Sequence, residues 1–302
     1  MPTQANKKII ASIDFGTNTF HVIIAELDSA VISRILGRKR WFAFLNRSKD
    51  DFIIDDAVSD AKNIAHEIAA FIKPFAVSET YGVATEVFRA KSNGKTLLND
   101  ISRIINAQVD LLSGQEEAKM SFLGVNALLD PAITNYLLVD IGGGSTEFIR
   151  AYKSEMLFNA SFKVGLSMLE QHIDFKGQLT EHQIDKTYDF LDLHLKELFA
   201  ANQDLQLILN GGSAELFHKI LPFQAANEFT QVFGIEDVSD LCRRLLYSEE
   251  AERANIDWIP DARNYLMPVF LMQVQYLIER FKVTKVVYTP ASIKEGLIMH
   301  KN

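Results

Sequence analysis

The residues best suited to chemistry cluster in Tyr136 to Arg150, which reads Y-L-L-V-D-I-G-G-G-S-T-E-F-I-R. An apolar run ends in Asp140, three glycines follow at Gly142, Gly143 and Gly144, and a second alternating stretch begins near Phe148. That order predicts a strand, a tight turn and a returning strand. Glycines without Cβ atoms let backbone N–H groups point into one concavity, a device that binds phosphate-like anions. Ser145 and Thr146 add hydroxyl donors, while Asp140 and Glu147 bracket the same space with carboxylates suited to a divalent cation. Three glycines alone would equally suit a hairpin that only turns the chain.

A second copy changes the balance. Ile10 to Leu27 also has an apolar run ending in an aspartate, Asp14, followed by Gly16, then Thr17, Asn18 and Thr19, and then another apolar run. Two such units in one chain indicate an internal duplication whose loops face each other across a cleft. Two further side chains lie outside these loops. Arg89 follows the Tyr81 to Val87 strand pattern in a loop where an α/β fold places ligand groups, though a surface arginine would look the same. Ser113 and Glu116 have capping-box spacing, which gives Glu116 a structural task. Glu117 is left over, about 100° further around the first turn, where the helix dipole favours an ionised carboxylate able to orient water.

The elements that must position these groups alternate along the chain. Strand patterns fill Lys7 to Asn46; a crossover helix covers Asp55 to Pro74; Leu97 to Ala107 reads as helix and Gln108 to Leu112 as strand. After the central hairpin come a strand at Glu155 to Ala160, a short helix at Val164 to His172, and a capping box at Thr180 and Gln183 opening a helix to about Ala201. A strand at Leu205 to Leu209 runs into Asn210-Gly211-Gly212-Ser213, where a simple tight turn and a phosphate contact both fit. Helices at Val238 to Tyr247, Asn264 to Phe281 and Ile293 to His300, with a strand at Thr284 to Tyr288, complete the chain. The half beginning near Asn135 repeats the order of the first half. With 302 residues, two domains are expected.

Composition narrows the classes. The chain is 48% hydrophobic and 23% charged, ordinary for a globular protein. A net charge of −8 argues against broad nucleic-acid binding, which uses a basic face. Six basic residues and no acid lie between Arg34 and Lys49, either a solvated hairpin or an attractor for an anionic substrate. The single cysteine, Cys242, precludes an internal disulfide and, with no signal-peptide or membrane-span pattern, leads to the expectation of a cytoplasmic protein without a membrane partner. There is no G-x-x-x-x-G-K-[ST], no H-E-x-x-H and no G-x-S-x-G, so P-loop, zincin and serine-hydrolase chemistry lack their signatures.

Four ordered motifs carry a resemblance: D-F-G-T-N-T-F-H at Asp14 to His21, A-T-E-V-F-R-A-K-S-N at Ala84 to Asn93, S-G-Q-E-E-A at Ser113 to Ala118, and D-I-G-G-G-S-T-E at Asp140 to Glu147. Together they resemble the exopolyphosphatase and guanosine pentaphosphate phosphohydrolase family in its short two-domain form. The resemblance implies an α/β fold duplicated in the manner of actin, Hsp70 and sugar kinases (ribonuclease H-like). It implies an N-terminal domain of residues 1–125 joined by 290–302, and a second domain of 126–289, with a cleft between them. It makes Glu117 the carboxylate that activates water, Asp140 and Glu147 Mg²⁺-associated carboxylates with Asp14 a third, and Arg89 a phosphate ligand. The loops Gly16 to Thr19 and Gly142 to Thr146, with Asn93, become phosphate-binding groups.

The implied reaction releases orthophosphate from inorganic polyphosphate or guanosine pentaphosphate with Mg²⁺, and the family allows a homodimer. Departures from the family pattern stand at Val87, Met168 and Lys294; the last two replace arginines, which grip phosphate bidentately as lysine cannot. A small-molecule kinase of the same superfamily and a non-hydrolytic polyphosphate or alarmone sensor are the competing readings.

Overall fold

The computed structural model describes residues 7–175, 178–199, 205–256 and 264–302. It divides into two units: one runs to Ala127 and takes up Ser292–Asn302, the other is Leu128–Ala291.

The first unit is built on a five-stranded sheet. Strands β1 (Lys8–Phe15), β2 (Thr19–Asp28) and β3 (Val31–Phe42) form an antiparallel meander, with the short β4 (Ser48–Lys49) and β5 (Phe52–Ile53) paired beyond it. Strands β6 (Glu79–Ala84) and β7 (Val109–Leu111) add on in parallel, giving the order β3-β2-β1-β6-β7. Parallel pairing requires a crossover, and the Asp55–Ile72 helix supplies it, burying Ala57, Ala61, Ala65, Ile68 and Ile72 along one stripe. That stripe packs with Ile13, Phe15, Phe20, Val22 and Ile24 into the unit's main core. β3 continues to Phe42, six residues beyond the expected Leu36, because its pairing with β2 runs on through Thr19↔Phe42.

The C-terminal Ile293–Lys301 helix belongs to this unit and crosses the Gly114–Leu128 helix with backbone in contact. A Cβ on Gly124 would fall on the Ser292 carbonyl, and one on Gly296 on the Met120 carbonyl. The crossing therefore admits no side chain at either position. Gly296→Ala is expected to lower stability by about 1–3 kcal/mol or more through overpacking, read as a drop in the denaturant midpoint.

The second unit repeats this plan and extends it. β8 (Asn135–Ile141), β9 (Thr146–Tyr152) and β10 (Glu155–Phe162) make the meander; β11 (Gln206–Leu209) and β14 (Lys285–Tyr288) join in parallel. β12 (Gln224–Asn227) and β13 (Thr230–Phe233) extend the far edge as an antiparallel pair, so the order is β10-β9-β8-β11-β14-β13-β12. The Met267–Phe281 helix is buried on nearly every face, and Gln273, which breaks its apolar run in the sequence, is fully buried. Its Nε2 donates to Thr146 Oγ1 and to the Val164 carbonyl, each at 3.1 Å. Gln273→Met would take the donor from that hydroxyl and one of two from that carbonyl, Thr146 Oγ1 supplying the other, and is expected to cost about 1–3 kcal/mol, measurable by chemical denaturation.

The capping box at Thr180 and Gln183 forms, with Gln183 N–H donating to Thr180 Oγ1. Its α-helix runs to Leu195 and passes into a single 3₁₀ turn, and the expected end at Ala201 lies outside the described residues. No described helix is long and apolar enough to cross a membrane.

Candidate active site

The two aspartate-headed turns are built alike. In β1–β2, Asp14 lies opposite His21 and Phe15 opposite Phe20; in β8–β9, Asp140 lies opposite Glu147 and Ile141 opposite Thr146. Each turn closes with a glycine N–H donating to a carbonyl three residues on, Gly16 to Thr19 and Gly142 to Ser145, both at 3.0 Å. A Cβ on either glycine would stand 2.9 Å from that carbonyl oxygen. Both turns also direct their carbonyls backward. Asn18 and Thr17 accept from Ala43 and Leu45 N–H, and Gly144 and Gly143 accept from Gly165 and Ser167 N–H. The equivalence of registers, closing bonds and carbonyl partners shows the duplication at the level of single atoms.

The turns differ in what their side chains meet. Ser145 Oγ donates to Glu147 Oε1 at 2.6 Å, and Ser161 Oγ donates to the same oxygen at 2.7 Å. In the first unit His21 occupies the place of Glu147, with Nε2 3.0 Å from Thr19 Oγ1.

Asp14 is half-buried, and its Oδ1 is enclosed with no hydrogen-bond partner, as is Asn18 Oδ1. Desolvation pushes the Asp14 pKa up to about 6, opposed by the nearby Lys294 ammonium and reinforced by Glu295. Those two residues belong to a buried charge network. Lys294 Nζ donates to Ser292 Oγ at 2.7 Å and lies 3.3 Å from Glu295 Oε2, while Arg38 reaches Glu295 Oε1 at 3.1 Å. Ser12 Oγ donates to the Lys294 carbonyl and ties this network to β1. Lys294 is thus an interior residue whose charge acts on the Asp14 carboxyl.

Arg89 and Glu117 meet directly. Arg89 sits in a short helix, Glu86–Ala90, rather than in the expected loop, because β6 ends at Ala84 and the chain turns helical at once. Its Nη1 donates to the Leu112 carbonyl and to Glu117 Oε1, the latter at 2.5 Å. The Ser113–Glu116 capping box forms as expected: the Ser113 N–H donates to Glu116 Oε2 at 2.7 Å and Glu116 N–H to Ser113 Oγ at 3.3 Å. Those bonds, the backbone one foremost, hold the Glu116 carboxyl below its ordinary pKa. Glu117, one residue on, is 17% exposed at its side chain, enough to meet a water while Arg89 fixes its orientation.

Two sequence expectations, for Thr146 and Asn93, are corrected here. Thr146 is fully buried, with Oγ1 donating to Val164 O and accepting from Gln273, because strand alternation puts it inward with Phe148 while Glu147 faces out. Asn93 bonds both ways to the Ile53 backbone, Nδ2 to the carbonyl at 2.8 Å and Oδ1 from the N–H at 3.0 Å; it fastens β5 to the next helix instead of serving a phosphate. The basic run is largely engaged within the unit. Arg38 pairs with Glu295 and Arg47 with Asp60, and Lys39 and Arg40 lie over Trp41 and Phe42.

The Asn210-Gly211-Gly212-Ser213 stretch, open in the sequence between a tight turn and a phosphate contact, lies against Asp140. Gly211, at the end of β11, has φ +82°, and a Cβ there would stand 3.3 Å from Asp140 Oδ1. The glycine is needed both for the left-handed backbone and for closeness to the carboxylate. Strand–Asn–Gly–Gly–helix was the available signal; the neighbour it approaches was not legible.

Among the described residues no three His, Cys, Asp or Glu side chains are grouped to cage a metal. The donor atoms are nonetheless of the right kind for Mg²⁺, which is usually held by one or two carboxylates and completed by water and substrate phosphate. The enclosed, unpartnered Asp14 Oδ1 is such an acceptor.

Comparison with known proteins gives the same arrangement a family. The chain is 22% identical over 306 residues to the guanosine-5'-triphosphate,3'-diphosphate pyrophosphatase of Pseudoalteromonas atlantica, covering 99% of this chain but 59% of that protein. It is 23% identical to a putative exopolyphosphatase of Haemophilus influenzae, covering 98% and 92% of the two chains. Its fold superposes on the crystal structure of an exopolyphosphatase from Cytophaga hutchinsonii with TM-score 0.83, 23% identity and 96% of each chain covered. The Aquifex aeolicus PPX-GPPA enzyme gives TM-score 0.82 at 20% identity, covering 97% and 99%. The fold is therefore the one these proteins share, a duplicated α/β architecture. The Ppx/GppA phosphatase family model matches residues 23–302, and the chain belongs to that family.

Proposed function

We propose that this protein hydrolyses a terminal phosphoanhydride, releasing orthophosphate from inorganic polyphosphate or from the 5′-triphosphate end of guanosine pentaphosphate. The observation that carries this reading is the Arg89–Glu117 pair: a carboxylate relieved of helix capping by its neighbour, half-enclosed, and oriented by a guanidinium. Glu117 accepts a proton from water as the water oxygen bonds to the terminal phosphorus. The bridging P–O bond breaks, and the products are orthophosphate and a chain one phosphate shorter.

Such transition states are loose, with charge spread over the peripheral oxygens, so positioning and electrostatic stabilisation do most of the work. Arg89 retains N–H groups beyond those held by Leu112 and Glu117 and can donate to the terminal phosphate. The amides of the Thr17–Asn18 turn, which lies in the same unit as Arg89 and whose carbonyls are held by the following segment, donate to further phosphate oxygens. Carboxylate oxygens of Asp14, or of Asp140 and Glu147, would hold Mg²⁺, which would neutralise part of the phosphate charge when bound. The test is orthophosphate release from each of the two substrates, with and without Mg²⁺. Release from either, dependent on Mg²⁺ and with no acceptor other than water, is the expected result. Binding without release, or release only with an acceptor hydroxyl, would contradict it.

A further inference from the structure

Asn93 opens the Gly94–Ile105 helix, a place where an asparagine side chain ordinarily caps the first turn. Here it makes no cap bond. Its Nδ2 donates to the Ile53 carbonyl at 2.8 Å and its Oδ1 accepts the Ile53 N–H at 3.0 Å, so both ends of the amide are spent on one residue of β5. A carbonyl only accepts and an N–H only donates, which leaves a single orientation for that amide. Beside it the Ser92 N–H donates to the Asp51 carbonyl at 3.0 Å, and the Ser92 hydroxyl donates to the Asp51 carboxylate. The β4–β5 hairpin is thereby fastened to the link between the Arg89 helix and the next. The two helices are in backbone contact at that link, since a Cβ on Gly94 would stand 2.5 Å from the Phe88 carbonyl oxygen.

The same segment of chain holds the first turn. Ala43 and Phe44 N–H donate to the Asn18 carbonyl at 2.9 and 3.2 Å, Leu45 N–H donates to that of Thr17 at 2.7 Å, and Ile54 N–H closes back on the Arg47 carbonyl at 3.2 Å. Ala43, Leu45 and Ile53 are buried in the core that also takes Phe88. At its other end the Arg89 helix is bonded to the turn's strand directly, with Thr85 N–H and Oγ1 both donating to the Phe15 carbonyl, at 3.3 and 3.4 Å. We propose that residues 43–54 are a brace that fixes Arg89 relative to the Thr17–Asn18 turn, with Asn93 the positioning residue that locks it. A five-residue helix has too few bonds of its own to hold an orientation. Bonded at both ends, it keeps the guanidinium on the Leu112 carbonyl and Glu117. The spacing between guanidinium and turn then decides which phosphate oxygens are gripped together, where a misplacement of about 1 Å costs up to about a hundredfold. The phosphate rests on the proposed function, but the brace does not.

The test removes the lock. Asn93→Leu keeps neither bond to Ile53; Asn93→Asp keeps the acceptor for the Ile53 N–H, sets a carboxylate oxygen against the Ile53 carbonyl, and carries the same comparisons if the leucine variant does not fold. Binding of tripolyphosphate to the full chain, measured by calorimetry in EDTA so that Mg²⁺-dependent turnover does not intervene, is expected to weaken about tenfold in either, the size of one hydrogen bond to a charged group. Introduced into Arg89→Met, the same substitutions should cost less than about twofold further, because they act through the guanidinium already removed. A direct phosphate ligand would lose as much in that background as alone. Nitrogen NMR, with Arg89 assigned by its absence from Arg89→Met, should show separate Nη signals in wild type, as for a guanidinium held in place, and merged ones in the Asn93 variants. Additive losses, or Arg89 signals alike in wild type and both Asn93 variants, would overturn the proposal. Wild-type protein that neither binds tripolyphosphate nor releases orthophosphate would sink the functional reading alone, because the NMR comparison needs no ligand.

Discussion

Glu117→Gln is expected to lower kcat for orthophosphate release by about 10²- to 10⁴-fold, the usual share of a positioned general base. The fold should be unchanged. Glutamine keeps the shape and can still accept from Arg89 through its amide oxygen, and the helix start is capped by Ser113 and Glu116 without help from position 117. KM should move little, since the lost function is exerted on water in the transition state rather than on the bound phosphate. Arg89 would separate from Glu117 by the opposite pattern. Arg89→Met removes both a donor to phosphate and the partner that orients the carboxylate, so KM rises and kcat falls together.

Asp14→Asn tests the other carboxylate and trades stability against activity. The folded protein holds the Asp14 proton more tightly than the unfolded chain, with a pKa of about 6 against the ordinary 3.8. Between those values the native state binds the extra proton, so this group's contribution to stability falls as pH rises through the window and stays low above it. The full difference corresponds to about 3 kcal/mol at 1.36 kcal/mol per pKa unit. The neutral amide escapes that penalty. Asp14→Asn should therefore be more stable than wild type by up to about 3 kcal/mol at pH 8 and no more stable near pH 3, by urea denaturation at each pH. Activity should fall in the same variant, because an enclosed acceptor without a donor is retained against its cost only where a cation or substrate meets it. A variant destabilised equally at both pH values would show that the carboxylate is a structural acceptor.

How far the sequence revealed this arrangement depended on how local each signal was. The paired turns were legible because strand, aspartate, glycine and hydroxyl lie within a dozen residues of one another and recur. Glu117 was legible because the capping box claims its neighbour. Thr146 was misassigned although the signal was present: alternation with Phe148 and Glu147 already sends its hydroxyl inward. Asn93 and Arg89 depended on tertiary partners, Ile53 and Glu117, that no spacing discloses.

The same limit hid the Arg38–Glu295 and Ser12–Lys294 contacts, which join residues from opposite ends of the chain, and the Gly124–Gly296 crossing. β12 and β13 went unseen because Gln224, Ala225, Ala226 and Gln231 lack the apolar alternation of a half-buried strand. They pair at the sheet edge, where backbone bonding to β14 suffices.

The central claim is that Glu117, held by Arg89, directs water at a terminal phosphate. Single-turnover release of orthophosphate from a polyphosphate chain with Mg²⁺, compared between wild type and Glu117→Gln at saturating substrate, addresses it without interference from product release. A drop of at least about a hundredfold in the chemical step, with substrate affinity retained, is the predicted result. Equal rates in the two proteins would contradict the account.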